Sequence, residues 1–286
     1  FFFFSQPLFL AMVTTQPPST ALRVPHTVSL RGKGISDENI STFCQSLPQS
    51  TAHLDLSSNE ITQEGVEQLV NFLKELPHLR SLSLSDNRIG AEGMGHLVPL
   101  LAQGRVEALD LSQNEIVGEQ LAELPSETLL SLFRVQACDL RGNEIGDAGA
   151  DAIASVLADE RCSLKELNLS NNDITFAMSS VLAAAAEGGG EQRLETLSLD
   201  DNRPPPATLG KLPALIGAAS HAGLRSLSLR NMELDDATAQ HIAAALCLSV
   251  GDLQVLDLRE NRGCSGKGRT ALEGLGRLKR GLTVHL

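Results

Sequence analysis

A nine-residue phrase of alternating apolar and polar positions recurs along most of this chain. The phrase is Leu-x-x-Leu-x-Leu-x-x-Asn, and its copies end at Asn59, Asn87, Asn114, Asn143, Asn172, Asn202, Met232 and Asn261. Successive ends are separated by 28, 27, 29, 29, 30, 30 and 29 residues. Eight copies at a nearly constant spacing indicate one structural unit that is repeated along the chain.

Within each phrase, the Leu-x-Leu alternation predicts a short β-strand that turns both leucines to the same face. One such strand cannot bury its leucines alone, so we expect the repeats to stack with their strands parallel. The Asn follows the strand where the chain turns, and its amide can bond backbone groups of that turn and of the neighbouring repeat. We therefore assign the column of asparagines a structural role.

A helical period follows each strand. Val66, Leu69, Val70 and Leu73 share one helical face in segment 61–77, and the same spacing recurs over 145–160. The pattern predicts an α/β solenoid, a horseshoe with parallel β-strands on its concave face, α-helices on its convex face and a repeat of about 28–30 residues. We expect about eight regular repeats plus degenerate N- and C-terminal caps over residues 26–286.

Repeats with the pattern LxLxxNxI followed by GxxxLxxxL resemble the ribonuclease-inhibitor type of leucine-rich-repeat protein. Relatives of that type include Ran GTPase-activating proteins and the repeat domains of NOD-like receptors. The resemblance covers about residues 26–286 and implies a leucine-rich-repeat solenoid. It names no partner, because function depends on the sites that a fold carries.

Three copies depart from the pattern, and all lie in the C-terminal third. Pro204, Pro205 and Pro206 replace the isoleucine and the residues after it in one copy, which predicts a stiff, extended exit from the strand. Met232 occupies the Asn position of the next copy, whose turn therefore lacks an amide partner. Gly263 replaces the isoleucine in the last copy. These changes are typical of an array approaching its cap, or of a surface that accommodates a partner.

Residues 1–25 differ from the repeats. The run FFFFSQPLFLAMV is apolar, and TTQPPST is typical of a linker. No basic residue precedes the apolar run, which argues against a signal peptide. We expect residues 1–25 to be a flexible leader that is disordered or processed.

Composition narrows the class of protein further. The chain has no Trp or Tyr, and five of its nine Phe lie within residues 1–9, so the core is aliphatic. The five cysteines are widely spaced and form no CxxC pair, which argues against a zinc site or a disulfide framework. Such cysteines are typical of a reducing compartment, so we expect a cytoplasmic protein, with a nuclear location compatible and secretion disfavoured.

Charge is divided unevenly between the body and the end of the chain. The formal net charge of −12 is the balance of −17 over residues 1–261 and +5 over residues 262–286. An acidic body disfavours nucleic acid and anionic membranes as partners and favours a basic protein surface. We expect a monomeric scaffold without cofactor or metal.

The residues that flank the strand leucines are expected to point into the concavity. They form columns of polar side chains that are acidic and serine-rich at first and bear arginines later. Our candidate partner-binding residues are Asp55, Asp86, Asp110, Asp139, Arg141, Asp200, Asp201, Arg230, Asp257 and Arg259. The columns contain no Trp, Tyr or Phe, the residues that anchor tight interfaces together with Arg, so we expect moderate, electrostatically steered affinity.

Asp110 and Asp139 are expected to lie on adjacent strands about 4.8 Å apart. Two carboxylates at that distance repel each other, and a basic side chain of a partner would relieve the repulsion. The alternative is that both are solvated, with Arg141 nearby. A metal site at this pair would lack an obvious third ligand.

Neither a Ser-His-Asp nor a Cys-His arrangement emerges from the sequence, so we expect no catalytic residues. Our leading hypothesis is a non-catalytic scaffold that binds a protein partner, with a basic patch, on its concave face. The resemblance keeps two alternatives open: a GTPase-activating protein of the Ran-activator type, or the sensing fragment of a NOD-like receptor. The basic C-terminal end disfavours the first, because that family carries an acidic tail.

Overall fold

The repeats form one ten-stranded parallel sheet whose strands follow each other in chain order. The computed structural model describes residues 26–187, 194–249 and 251–286; the leader predicted for residues 1–25 lies outside them. The strands are β1 His26–Ser29, β2 Thr51–Asp55, β3 Ser81–Ser83, β4 Ala108–Asp110, β5 Ala137–Asp139, β6 Glu166–Asn168, β7 Thr196–Ser198, β8 Ser226–Ser228, β9 Val255–Asp257 and β10 Thr283–His285. Since each strand pairs only with its neighbours, the sheet is open, as the sequence predicts for a solenoid.

Helices alternate with the strands along the described chain. They are α1 Ile40–Gln45, α2 Gln63–Leu73, α3 Gly90–His96, α4 Val98–Leu101, α5 Gly118–Glu123, α6 Ser126–Leu132, α7 Gly146–Leu157, α8 Met178–Glu187, α9 Pro206–Leu209, α10 Leu212–Ala222, α11 Asp236–Leu248 and α12 Gly266–Leu278. The apolar faces predicted in segments 61–77 and 145–160 are buried in α2 and α7. Prolines divide the helical segment of some repeats, as Pro99 does at the start of α4.

A single aliphatic core lies between the sheet and the helices. Both leucines of each Leu-x-Leu unit point into it; Leu54 and Leu56 in β2 and the residue after it are examples. Phe133 is the largest fully buried side chain. The alternation is therefore confirmed as an inward column of leucines and an outward column of polar residues.

The asparagines at the ends of the phrases form a ladder of buried amides across the repeats. Asn143 is representative: its Oδ1 accepts hydrogen bonds from the backbone N–H of Asn114 (2.8 Å) and Ile116 (3.2 Å) in the preceding repeat. Its Nδ2 donates to the carbonyl oxygens of Leu111 (3.0 Å) and Leu140 (2.7 Å). The amide thus ties each repeat to the one before it, which is the structural role that the sequence predicts.

The ladder is interrupted once, between the repeats that end at Asn202 and Met232. Just before the interruption the ladder is intact, and the N–H of Ile174 donates to Asn202 Oδ1 at 2.9 Å. The residue equivalent to Ile174 one repeat later is Pro204, which has no N–H to donate. Met232, fully buried, replaces the amide that would have accepted that bond. For this one bond the two departures match, a donor removed opposite an acceptor removed; the N–H of Asn202 also loses the kind of acceptor that Asn202 Oδ1 provides for the N–H of Asn172 at 3.2 Å.

This pairing predicts a favourable coupling between two substitutions. Pro204→Ile alone leaves an N–H below a methionine, so it is expected to cost about 1–3 kcal/mol. Met232→Asn alone buries an amide oxygen opposite a proline, but that oxygen can accept from the N–H of Asn202, as Asn202 Oδ1 accepts from the N–H of Asn172, so it is expected to cost less. The double variant restores the donor and the acceptor together, so we expect it to recover about 1–2 kcal/mol of the summed loss. Urea unfolding of the wild type, the two single variants and the double variant measures this coupling free energy. Strictly additive losses of stability would show that the two sites are independent.

Candidate functional site

Polar side chains between the strand leucines line the concave face of the sheet, which faces away from the aliphatic core. Strand pairing places Asp55 opposite Ser83 across β2 and β3, with His53 opposite Ser81. Ser83 lies opposite Asp110, and Asp110 opposite Asp139. The two carboxylates singled out in the sequence therefore occupy adjacent strands in direct register.

Each of these aspartates is held by hydrogen bonds within its own repeat. The N–H two residues later donates to Oδ1, from Ser57 to Asp55 (3.0 Å), from Ser112 to Asp110 (3.0 Å) and from Arg141 to Asp139 (2.9 Å). This is the side-chain turn that Asp and Asn favour at the end of a strand. The aspartates therefore shape the strand exits as well as charging the surface. A recurring Asp-Leu-Ser unit is the sequence signal for this second role.

The second carboxylate oxygen of each aspartate reaches a neighbouring repeat. Ser83 Oγ donates to Asp110 Oδ2 at 3.0 Å from the repeat before it. Asn168 Nδ2 donates to Asp139 Oδ2 at 3.2 Å from the repeat after it. The donors thus approach the pair from its two outer sides, and no donor side chain of the described residues bonds both carboxylates.

This arrangement changes the acidity of Asp139. Burial raises its pKa from 3.8 to about 7, and the neighbouring charge of Asp110 adds to the rise. The hydrogen bonds from Arg141 and Asn168 and the charge of Arg141 act in the opposite direction. A substantial fraction of Asp139 is therefore protonated near neutral pH, where an approaching cation would favour its ionised form.

A pH-dependent stability follows from this shift. Because the folded-state pKa lies above the unfolded value, the contribution of Asp139 is fully present below about pH 4 and is lost as the pH rises through about 7. We expect the unfolding free energy of the wild type to fall by about 2–4 kcal/mol over that range relative to Asp139→Asn. Asn168 shows that an amide can keep the bond to the N–H two residues on. Parallel pH curves for the two proteins would contradict this assignment.

The C-terminal part of the concave face is occupied by its own ion pairs. Asp257 is fully buried, and Arg259 lies against it, donating from Nε at 3.0 Å and from Nη2 at 2.5 Å. Arg230 pairs with Glu260. Of these four, Asp257 is shielded from a partner by its arginine, and the accessible charges at this end are those of Glu260 and Arg259, with Arg230 less exposed. The sequence offered no means to distinguish Asp257 from Asp110.

Asp200 is the next candidate along this end of the face. It accepts bonds from Ser228 Oγ (2.5 Å) and from the N–H of Arg230 (2.8 Å), both in the following repeat. Burial raises its pKa, and the hydrogen bonds from Ser228 and Arg230, together with the charge of Arg230, offset part of the rise. Asp200 therefore joins two repeats, and its carboxylate is only partly accessible.

Asp86 and Asp201 lie at the end of the concave strands, in the turn just before the Asn position. Both are exposed and adopt left-handed backbone conformations, with φ of 55° and 58°. The equivalent residues of the other repeats, Ser58, Gln113, Gly142, Asn171, Asn231 and Glu260, share a positive φ. Asp and Asn tolerate this conformation better than most residues, so the turn contributes to the choice of residue here.

Arg141 differs from the other concave arginines. Its side chain is exposed, and none of the hydrogen bonds or ion pairs in the described part of the chain uses its guanidinium group. It lies between the serine-rich N-terminal half and the ion-paired C-terminal half of the face. Arg141 is therefore available to an anionic group of a partner beside the Asp110–Asp139 pair.

Comparisons with known proteins agree with this architecture. The family model for the leucine-rich repeat matches residues 53–70, 75–97, 139–154 and 161–175. The ribonuclease inhibitors of Sus scrofa and Mus musculus are 30% and 29% identical over 81% and 62% of this chain. This chain is a leucine-rich-repeat protein of the ribonuclease-inhibitor type. The protein NLRC5 of Mus musculus is 31% identical over 49% of the chain and 7% of its own length.

A solved leucine-rich-repeat structure has the same fold. The protein LegL7 of Legionella pneumophila matches with a TM-score of 0.59 and 23% identity, over 91% of this chain and 81% of that one. The chain spans 44% and 39% of the lengths of the two ribonuclease inhibitors. Membership of this family supports a role as a protein-interaction scaffold, since such solenoids present extended concave binding surfaces.

Membrane-spanning helices and metal-binding clusters are two further features that bear on function. Within residues 26–187, 194–249 and 251–286, no helix combines the length and apolar character needed to span a membrane. Over the same ranges, no three His, Cys, Asp or Glu side chains are grouped so as to hold a metal ion.

Proposed function

We propose that this leucine-rich-repeat protein is a non-catalytic scaffold that binds a basic patch of a protein partner on its concave face. One observation carries the proposal: Asp110 and Asp139 lie in register on adjacent strands, with the pKa of Asp139 raised to about 7. Burial is the larger cause of the raised pKa, and repulsion from Asp110 adds to it; a cationic side chain that pairs with both carboxylates would relieve this repulsion.

The surroundings of the pair support the same proposal. Asp55 lies two strands away on the same face, and Ser83 lies between it and Asp110. The face carries small and charged side chains without a protruding aromatic residue, so the binding energy would come mainly from ion pairs. We therefore expect moderate affinity that weakens as salt rises.

The test compares two double variants that each replace two carboxyl groups by amides. Asp110→Asn/Asp139→Asn changes the concave face, while Glu119→Gln/Asp151→Asn changes exposed residues of α5 and α7. Quantitative co-purification from cell extract is expected to retain a set of basic partners with the wild type and the α5/α7 variant and to lose it with the concave variant. An unchanged set with the concave variant would overturn the proposal.

A further inference from the structure

One junction between two complete repeats in the described part of the stack lacks the ladder of buried amides. At the junctions before and after it, Asn202 and Asn261 each accept two backbone N–H groups of the preceding repeat and donate to one of its carbonyl oxygens. Between them stands Met232, whose side chain has no amide to offer. We call this place the 202/232 junction; it lies between the repeat that contains β7 and the repeat that contains β8.

The backbone bonds of the sheet remain at the 202/232 junction. The N–H of Leu199, for example, donates to the carbonyl oxygen of Ser228 at 3.0 Å. The ends of the helical segments are joined as well, since the N–H groups of Asp252 and Leu253 donate to the carbonyl oxygen (3.0 Å) and the hydroxyl oxygen (3.4 Å) of Ser220. The missing bonds therefore belong to the turn between strand and helix, where the amide of the other repeats lies.

Asp200 supplies side-chain bonds across the junction beside this turn. Its Oδ1 accepts from Ser228 Oγ at 2.5 Å and from the N–H of Arg230 at 2.8 Å, both in the repeat of β8. In the repeats of Asp110 and Asp139, the equivalent N–H group is bonded instead by the aspartate of its own strand. The carboxylate of Asp200 thus joins two repeats at the place where the amide that would join them is absent.

Two further side-chain contacts join the same repeats. Asp201 Oδ1 accepts from Asn231 Nδ2 at 2.8 Å, and Glu195 pairs with Arg225 at 2.9 Å. These four side chains are exposed or half-exposed, so water competes for their bonds and each contact contributes little. Asp200 differs from them, because one of its donors is a backbone N–H and the other is the hydroxyl of a buried serine.

We propose that the 202/232 junction is a hinge of the solenoid and that Asp200 is the latch that keeps it closed. When the latch opens, residues 224–286 move as one unit against the rest of the stack. The other junctions between complete repeats in the described chain also carry the bonds of a buried amide, so they open less readily. Arg230 and Arg259 travel with the unit while Asp110 and Asp139 do not. The hinge therefore sets the distance between the acidic and the arginine-bearing parts of the concave face.

Hydrogen exchange of the whole protein, followed by mass spectrometry, tests the hinge because it reports the opening of each segment separately. In the wild type we expect nearly uniform protection over β8, β9, α11 and α12, with a step to higher protection in the segments that precede β7. Fraying from the chain end would give a different profile, in which protection falls gradually from repeat to repeat towards residue 286.

The variant Asp200→Ala removes the latch. We expect it to raise the exchange rate throughout residues 224–286 about 10- to 30-fold, because two hydrogen bonds to a carboxylate are lost across the junction. The matched control is Asp110→Ala. Asp110 also accepts from a serine of another repeat and from a backbone N–H, but its junctions keep the amides of Asn114 and Asn143. Exchange in the control is therefore expected to rise only near Ser112.

Restoring the ladder distinguishes a latch from a contact that merely stabilises its surroundings. In the Pro204→Ile/Met232→Asn background, Asp200→Ala is expected to raise the exchange of residues 224–286 less than about 3-fold, because the amide now holds the junction. Met232→Asn alone serves as a second background, since its amide oxygen can accept from the N–H of Asn202. Far-UV circular dichroism establishes that each variant is folded.

Two results would overturn the proposal. The first is a gradual decline of protection in the wild type, without a step between β7 and β8, which would leave only fraying of the chain end. The second is an equal increase of exchange on Asp200→Ala in the wild type and in both restored backgrounds, which would make Asp200 a local contact that is independent of the missing amide.

Discussion

Replacing Gly118 by alanine is expected to lower the free energy of unfolding by more than about 4 kcal/mol, an effect of the size seen when a buried backbone must move. Gly118 begins α5, and a Cβ built on it would lie 1.6 Å from the carbonyl oxygen of Ile145. The obstruction is backbone, so it cannot rotate away. Gly149 meets Gly118 from the other side, where its own Cβ would lie 2.8 Å from the Cα of Gly118.

Relief by separating the two helices would break other bonds. The N–H of Gly118 donates to the carbonyl oxygen of Glu144 at 2.9 Å, a bond that joins α5 to the repeat of α7. The two repeats are also tied by the amide of Asn143. The clash therefore has to be accommodated by distorting α5 or by opening the stack.

The matched control is the same substitution in another helix. Gly274 lies within α12, and nothing is found within 4 Å of its built Cβ, so Gly274→Ala is expected to stabilise by about 0.5–1 kcal/mol. Urea denaturation followed by far-UV circular dichroism suits both proteins, because the chain has no Trp. If Gly118→Ala were as stable as the wild type, the close approach of α5 and α7 would be wrong.

Replacing Asn143 by alanine is the second large effect, with an expected loss of about 3–5 kcal/mol from three buried backbone groups left without a partner and a fourth that loses one of its two hydrogen bonds. Asn143 is only 5% exposed, so water cannot readily replace its amide. The groups released are the N–H of Asn114 and Ile116 and the carbonyl group of Leu111, while the carbonyl oxygen of Leu140 keeps the bond from Asn172 Nδ2 at 3.0 Å. The same substitution at Asn71, exposed on α2, is expected to change stability by less than about 0.5 kcal/mol.

Amide hydrogen exchange would localise the effect of Asn143→Ala. The N–H groups of Asn114 and Ile116 should lose protection more than those of the distant repeats, since the broken bonds join one pair of neighbours. Uniform loss of protection along the chain, or losses as small as for Asn71→Ala, would contradict the role assigned to the ladder.

The repeat is predictable from sequence because the same requirements for buried leucines and for a hydrogen-bonding amide recur in successive copies of the phrase. Each Leu-x-Leu must face the core and each Asn must satisfy the same four kinds of backbone group, so single exceptions do not hide the pattern. Met232 was recognisable as a missing amide. Its relation to Pro204 was not, because the two residues are 28 positions apart and become partners only when the repeats are stacked in register.

The roles of the surface residues were harder to predict, because the same residue type, aspartate, has different roles at equivalent positions. Asp110 and Asp257 occupy equivalent places, yet Asp257 is fully buried below Arg259 while Asp110 is partly exposed. Asp86 and Asp201 satisfy a left-handed turn as well as charging the surface. Phe176, with 63% of its surface accessible, lies outside the columns that the strand alternation defines, so that alternation does not predict its exposure.

The concave face is the central claim, and photo-crosslinking tests it most directly. A benzophenone amino acid placed singly at Ser83 and Ser85, on the concave face, is compared with the same residue at Asn71 and Glu119 on the helices. We predict that the concave positions crosslink to lysine- and arginine-rich segments of a common partner, and that Asp110→Asn/Asp139→Asn abolishes these products. Crosslinks to that partner from Asn71 and Glu119, with none from Ser83 and Ser85, would contradict the account.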